Sequence, residues 1–226
     1  MNLPARLVTI RCEIQNRSSV SKVMQNNIKP NWQDFYEMCK PRVVLLMLLC
    51  TLAGMFLATD DMVPLATISF CLLGVALVSG SAAALNHLVD ASVDAKMART
   101  HNRPVAQGRV SNFQGGVFVA ITLALGMAIL MVFINSLTAW LNLAAWAGYG
   151  IFYSVYLKRA TSQNIVIGGL FGAAPPLFGW TAVTNSIDGG GLLLVLIIFV
   201  WTPPHFWALA IDRMEEYKLV EYPMLP

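Results

Sequence analysis

Asn86-His-Leu-Val-Asp90-Ala-Ser-Val-Asp94 closes the apolar stretch 62–89, and Lys96, Arg99, Arg103 and Arg109 follow before the next apolar stretch opens at 113. On a helix of 3.6 residues per turn, positions 86, 90 and 94 advance by about 40° per step, so one amide oxygen and two carboxylates line a single face. Hard divalent cations take oxygen ligands, and Mg²⁺ is usually held by one or two carboxylates together with substrate phosphates. Asn86, Asp90 and Asp94 are therefore a candidate metal comb, with basic residues just downstream to meet phosphate oxygens. A helix end whose acids and bases simply pair with one another has the same spacing, so both readings stay open at this point.

Working outward, the 226 residues are 57% hydrophobic and only 12% charged. That is too apolar for a soluble domain and marks an integral membrane protein. About 20 apolar residues cross a bilayer as a helix. Six stretches qualify: 43–59, 62–89, 113–134, 137–157, 164–184 and 191–211. The expected fold is all-α, a polytopic transmembrane helical bundle. Residues 1–38 form a polar cytoplasmic tail, whose Arg and Ser content would also suit an organelle transit peptide, and 39–226 form the membrane domain.

The charges are sorted by loop. All 15 Lys and Arg lie before span one, between spans two and three, between four and five, or after six. Orientation follows such a bias, so both ends are expected in the cytoplasm and the ends of spans two, four and six around one cytoplasmic mouth. The net charge of +3 therefore carries no implication of nucleic acid. Cys12, Cys39, Cys50 and Cys71 lack metal-type spacing and read as packing thiols. Pro175-Pro176 and Pro203-Pro204 are expected to break spans five and six. Spans one and two, and again five and six, end in acidic clusters, a faint repeat in which the second half is expected to lack its carboxy-terminal spans.

Two acidic clusters facing one mouth, with basic loops between them, suit a substrate that carries a diphosphate on an apolar tail. Mg²⁺ would neutralise the departing diphosphate. Prenyl diphosphates have that chemistry.

The comb, continuing as Ala-Lys-Met-Ala-Arg-Thr-His-Asn-Arg103-Pro104, resembles the first aspartate motif of the UbiA-type intramembrane prenyltransferases. Trp32-Gln-Asp-Phe-Tyr-Glu-Met-Cys-Lys-Pro-Arg42, Tyr153-Ser-Val-Tyr156-Leu-Lys158-Arg159, Asn164-Ile-Val-Ile-Gly-Gly and Gly172-Ala-Ala-Pro-Pro-Leu-Phe-Gly-Trp180 agree with it. Trp201-Thr-Pro-Pro-His-Phe-Trp-Ala-Leu-Ala-Ile211, with Tyr217 and Pro223-Met-Leu-Pro226, is similar to the haem-modifying branch rather than to the quinone branch. The similarity runs from about residue 32 to the end. Where the family has an Asp before the tyrosine of its second acidic region, this chain has Glu216 beside Glu215.

The resemblance implies Mg²⁺-dependent transfer of farnesyl from farnesyl diphosphate to a vinyl group of haem b, giving haem O. It implies metal ligation by Asn86, Asp90, Asp94 and Glu216, and catalytic roles for Asp90, Asp94, Tyr153 and Lys158. Substrate contacts are expected from Asn86, Lys96, Arg99, Arg103, Arg159 and His205. The basic residues would equally serve as membrane-orienting anchors. Tyr153 and Tyr156 would face an allylic cation, whose charge an aromatic ring attracts, or form an interfacial belt. His205, and less directly His87 and His101, are haem candidates or packing residues. Expected partners are farnesyl diphosphate, haem b, the lipid bilayer and haem-pathway or oxidase-assembly proteins, with no nucleic acid. The expected location is the bacterial inner membrane, with the mitochondrial inner membrane as alternative. Prenylation of an aromatic quinone precursor and a membrane transporter are the competing functions. A six-span chain of this kind is expected to insert into membranes but to need further carboxy-terminal spans for synthesis.

Overall fold

The computed structural model describes residues 30–161, 163–212 and 214. Every regular element among the described residues is helical. In chain order they are α1 (Trp32–Met38), α2 (Pro41–Leu57), α3 (Leu65–Val89), α4 (Ala91–Asp94), α5 (Asn112–Phe133) and α6 (Ser136–Trp146). A π-helix (Ala147–Leu157), α7 (Lys158–Ala160), α8 (Asn164–Gly172), α9 (Pro175–Thr184) and α10 (Gly189–Asp212) complete the set. All six apolar stretches of the sequence are thus helix. Four segments, α3, α5, the α8–α9 pair and α10, are long and apolar enough to cross a bilayer, and α1 with α2, bent by 52°, makes up to five. Residues 136–157 are helical too, but as α and π segments of 11 residues each.

The central helix is α3, and small residues let its neighbours approach. Gly74 of α3 and Gly126 of α5 face one another, with Val78 and Leu130 closing the seam. Lipid tails are as apolar as leucine, so close van der Waals contact across glycine, rather than expulsion of water, holds such helices together. The same device joins α2 to α9, where Gly54 lies against the Pro176 carbonyl and Gly179 against the Thr51 carbonyl. Met55, Cys71, Val75, Leu130 and Phe178 fill the adjoining core. Several internal polar groups find partners within the bundle. The Thr138 and Thr181 hydroxyls are 2.8 Å apart, Asn135 Nδ2 donates to the Thr181 carbonyl at 2.8 Å, and the Trp146 indole donates to Ser81 Oγ at 3.1 Å.

The opposite faces of α5 and α10 expose Ile121, Leu125, Leu193, Leu196, Ile197 and Val200, an apolar surface suited to acyl chains.

The Pro175-Pro176 pair divides span five as expected, with both prolines opening α9, where their missing N–H groups cost nothing. The expected break at Pro203-Pro204 is not there. Helix α10 runs unbroken through both prolines. Pro203 and Pro204 free the Phe199 and Val200 carbonyls one turn back, a loss that a membrane helix tolerates, while Thr202 Oγ1 donates to the Ile198 carbonyl at 2.7 Å.

Candidate functional site

The comb is built differently from a single helical face. Helix α3 ends at Val89, Asp90 sits at the junction with φ −91° and ψ 1°, and the one-turn α4 then presents Asp94. The helix expected over 62–89 begins instead at Leu65, after Pro64, and the single helical face expected to carry Asn86, Asp90 and Asp94 is corrected to a helix end and a tight turn at Asp90. The physical reason is the pull on Asp90. Its Oδ2 accepts from Asn86 Nδ2 at 2.8 Å and from Lys158 Nζ at 2.7 Å, while the Val93 N–H bonds to the Asp90 carbonyl at 2.9 Å and tightens the turn.

Three elements separated in sequence meet here. Asn86 and Asp90 come from the end of α3, Lys158 from the start of α7 directly after the π-helix, and Arg103 from the loop after α4, its Nη1 donating to Asp94 Oδ2 at 2.6 Å. The carboxylates are buried, Asp90 at 1% and Asp94 at 4% exposure. At such depth each charge must be matched, and each is.

The sequence reading missed a third basic group, Lys40. It joins α1 to α2 in the left-handed region, φ 50° and ψ 62°, which a non-glycine residue occupies at a cost of about 1–3 kcal/mol. The reward is direction: its ammonium reaches inward to donate to Asn86 Oδ1 at 2.6 Å. A basic residue directly before the proline that opens a span was the available signal.

Below this polar mouth lies a cavity of about 400 Å³, lined by Lys40, Met47, Asn142, Tyr149, Tyr153 and Phe178 among others. Its volume falls within the roughly 300–1,000 Å³ typical of small-molecule sites. The π-helix decides which aromatic groups line it. Its i→i+5 bonding stacks residues five apart, so Tyr149 lies over Ser154 and Tyr153 over Lys158. Ser154 Oγ donates to the Tyr149 carbonyl at 2.9 Å and accepts from Asn86 Nδ2 at 3.3 Å. Tyr149 and Tyr153 stack with ring centroids 5.5 Å apart. Tyr149 was not foreseen. Tyr156 points away, exposed and tilted against Phe152.

Other sequence candidates lie elsewhere. Lys96 and Arg99 are exposed on the loop after α4. His205 is exposed and stacks on Trp201 at 4.3 Å without lining the cavity, whereas Trp201 and Phe206 do line it. His101 is exposed on the same loop as Lys96, with Nδ1 2.6 Å from the Ala98 carbonyl. His87 is buried beside Asn86, and neither ring nitrogen has a hydrogen-bond partner among the described residues. Arg159 belongs to the short α7. Glu216, with Glu215 and Tyr217, lies outside the described residues, as does the amino tail up to residue 29.

A helical membrane bundle that gathers buried carboxylates and basic side chains over an apolar chamber is the architecture of a lipid-diphosphate-handling protein, and the sequence comparisons agree. The chain belongs to the UbiA prenyltransferase family, whose profile matches residues 47–226. It is similar to the protoheme IX farnesyltransferase of Saccharophagus degradans, 59% identical over 203 residues that cover 90% of this chain and 67% of that protein. The protein of the same name from Shewanella oneidensis is 57% identical over 202 residues, 89% of this chain and 67% of the relative. That of Teredinibacter turnerae is 60% identical over 195 residues, 86% of this chain and 63% of the relative. The chain thus spans about two thirds of the length of the relatives it matches. No solved structure matches it.

Proposed function

We propose that this chain carries the diphosphate site of an enzyme that transfers farnesyl from farnesyl diphosphate to a vinyl group of haem b, giving haem O. The observation that carries the reading is the convergence of Asp90 and Asp94 with Lys40, Arg103 and Lys158 at the mouth of an apolar cavity. The donor set fits a hard divalent cation. Asn86, Asp90 and Asp94 offer oxygen ligands, and no group of three or more His, Cys, Asp or Glu side chains gathers among the described residues. Such a site leaves much of the coordination sphere to phosphate and water, which suits Mg²⁺. When bound, Mg²⁺ supplies charge neutralisation at the diphosphate.

The protein's own residues account for the rest. Lys158, Arg103 and Lys40 present cationic donors to the diphosphate oxygens as the farnesyl C–O bond breaks and its electron pair leaves with the diphosphate. The cavity below takes the isoprenoid tail and keeps bulk water from the allylic carbon. Tyr149 and Tyr153 offer ring faces to the allylic cation. A vinyl carbon of haem b then bonds to the allylic carbon, and water adds to the cation left on the side chain, releasing a proton and leaving a hydroxyl. Glu216, which lies outside the described residues, is the further metal ligand that the resemblance offers, and Lys96, Arg99 and Arg159 add positive charge.

The quinone and transporter alternatives are weaker. The matched relatives bear the protoheme name, and the acids cluster at one end of the bundle, where ion transport would want ionisable groups along the path. The test joins the chain to the carboxy-terminal third of the Saccharophagus relative, reconstitutes it in vesicles and supplies farnesyl diphosphate with haem b or 4-hydroxybenzoate. Haem O alone is expected by mass spectrometry, with synthesis lost in chelator and regained with Mg²⁺. Prenylated hydroxybenzoate without haem O would reassign the acceptor.

The reading puts the site on the cytoplasmic side of the bacterial inner membrane, which the Lys and Arg bias of the loops supports. A single cysteine at exposed Ser186, in a cysteine-free background, should react with an impermeant maleimide added to intact cells, and one at exposed Ser111 should react only after lysis. The reverse pattern would invert the orientation.

A further inference from the structure

The loop that carries Arg103 has no long helix to hold it, and Arg109 ties it to α1. The Arg109 guanidinium bonds to the carboxylate of Asp34 on α1 and lies 3.5 Å from Glu37 of the same helix. Its Nη2 donates to the Asn102 carbonyl at 2.7 Å, directly before Arg103. Gln107 Nε2 fixes the Asn102 side chain at 3.1 Å, and Gly108, at φ 74°, supplies the left-handed turn that brings Arg109 back. Beneath, Val105 and Val110 of the loop bury against Met38 of α1. Asp34 is only 5% exposed and also accepts the Asn31 N–H at 2.9 Å, so its carboxylate cannot readily swing away.

From these contacts we infer that Asp34 and Arg109 are positioning residues, a latch between α1 and the loop that holds the Arg103 guanidinium at Asp94 and hence at the diphosphate. The inference rests on the function proposed above. Neither residue touches the cavity. Arg109 acts through the Asn102 peptide, and Asp34 acts through Arg109. The same α1 leads at its other end into Lys40, so the latch sets two of the basic groups from one short helix. Removing Arg109 leaves the buried Asp34 carboxylate unmatched, so a control elsewhere in the fold, α5, separates loosening of the loop from general loss of fold.

Two readouts in the chain itself, purified in detergent, test the latch. The first needs no ligand: hydrogen exchange, read by mass spectrometry, of the loop amides of Arg103, Gln107 and Gly108, which bond to the Thr100, Arg103 and Val105 carbonyls. Arg109→Ala and Asp34→Ala should accelerate it about tenfold, Arg109→Lys by much less, while exchange in α5 stays within twofold. The second is calorimetric binding of inorganic diphosphate with Mg²⁺. Arg109→Ala should weaken it about tenfold, and Arg103→Ala should cost nothing further when added to Arg109→Ala, because coupled residues are not additive. Unchanged exchange at these amides, or fully additive losses, would overturn the latch. Wild-type chain that binds no diphosphate would count against the proposed function, and the exchange comparison would still decide the latch.

Discussion

Asp90→Asn should cut haem O synthesis by about 100- to 1,000-fold, while the protein still inserts and purifies at normal yield. The carboxylate is nearly inaccessible and is the common acceptor for Asn86 and Lys158. An amide keeps the shape but removes the charge that matches the lysine and that a divalent cation requires. Loss of a group that stabilises developing charge in a dry site costs about 3–4 kcal/mol, and each 1.36 kcal/mol is tenfold in rate. Asp94→Asn should act in the same direction through Arg103, its partner at 2.6 Å. The measurement is extracted haem O at matched membrane levels, in the version extended with the relative's carboxy-terminal third. Near-normal synthesis by either variant would remove the comb from the mechanism.

The largest stability effect is expected far from the charges. A Cβ placed on Gly179 would overlap the Thr51 carbonyl and crowd Met55 N, and one on Gly54 would overlap the Pro176 backbone. Both collisions are with main chain, which cannot rotate aside as a side chain does. Gly179→Ala and Gly54→Ala should therefore force α2 and α9 apart and destabilise the bundle by about 3 kcal/mol, the upper end of the usual cost of overpacking. For a chain of this size that is roughly 6–12 °C in Tm. Thermal aggregation in detergent, followed by size-exclusion chromatography, provides the readout. Gly116→Ala, where an added Cβ meets nothing within 4 Å, is the matched control. If Gly179→Ala melted with that control, the close packing of α2 on α9 would be refuted. Because α2 begins at Lys40, the same variants should also loosen the site.

Much of this was legible without coordinates, since a bilayer permits few solutions. Apolar runs of about 20 residues must become helices that satisfy their own backbone groups, which determines the class and the approximate bounds of every span. The charge bias singles out one side, and the four-residue spacing of Asn86, Asp90 and Asp94 brings them close whatever the helix does next, because neighbouring turns are local geometry.

Only the tertiary structure decided the remainder. Lys40 reads as a helix opener, and its place in the site depends on a left-handed backbone that a local pattern does not announce. The π-helix exchanges Tyr156 for Tyr149 as a lining residue, because a change from i→i+4 to i→i+5 bonding rotates every later side chain. Pro203-Pro204 looks like a break and is carried inside a continuous helix. His205 lies in a recognisable motif, yet its direction depends on how α10 packs and not on its neighbours in sequence. Pairings across 46, 68 and 75 residues, Lys40 with Asn86, Lys158 with Asp90 and Arg109 with Asp34, have no local signature. Local chemistry determined what each segment could become; which charges meet is a property of helix packing, set by glycine contacts far from the site.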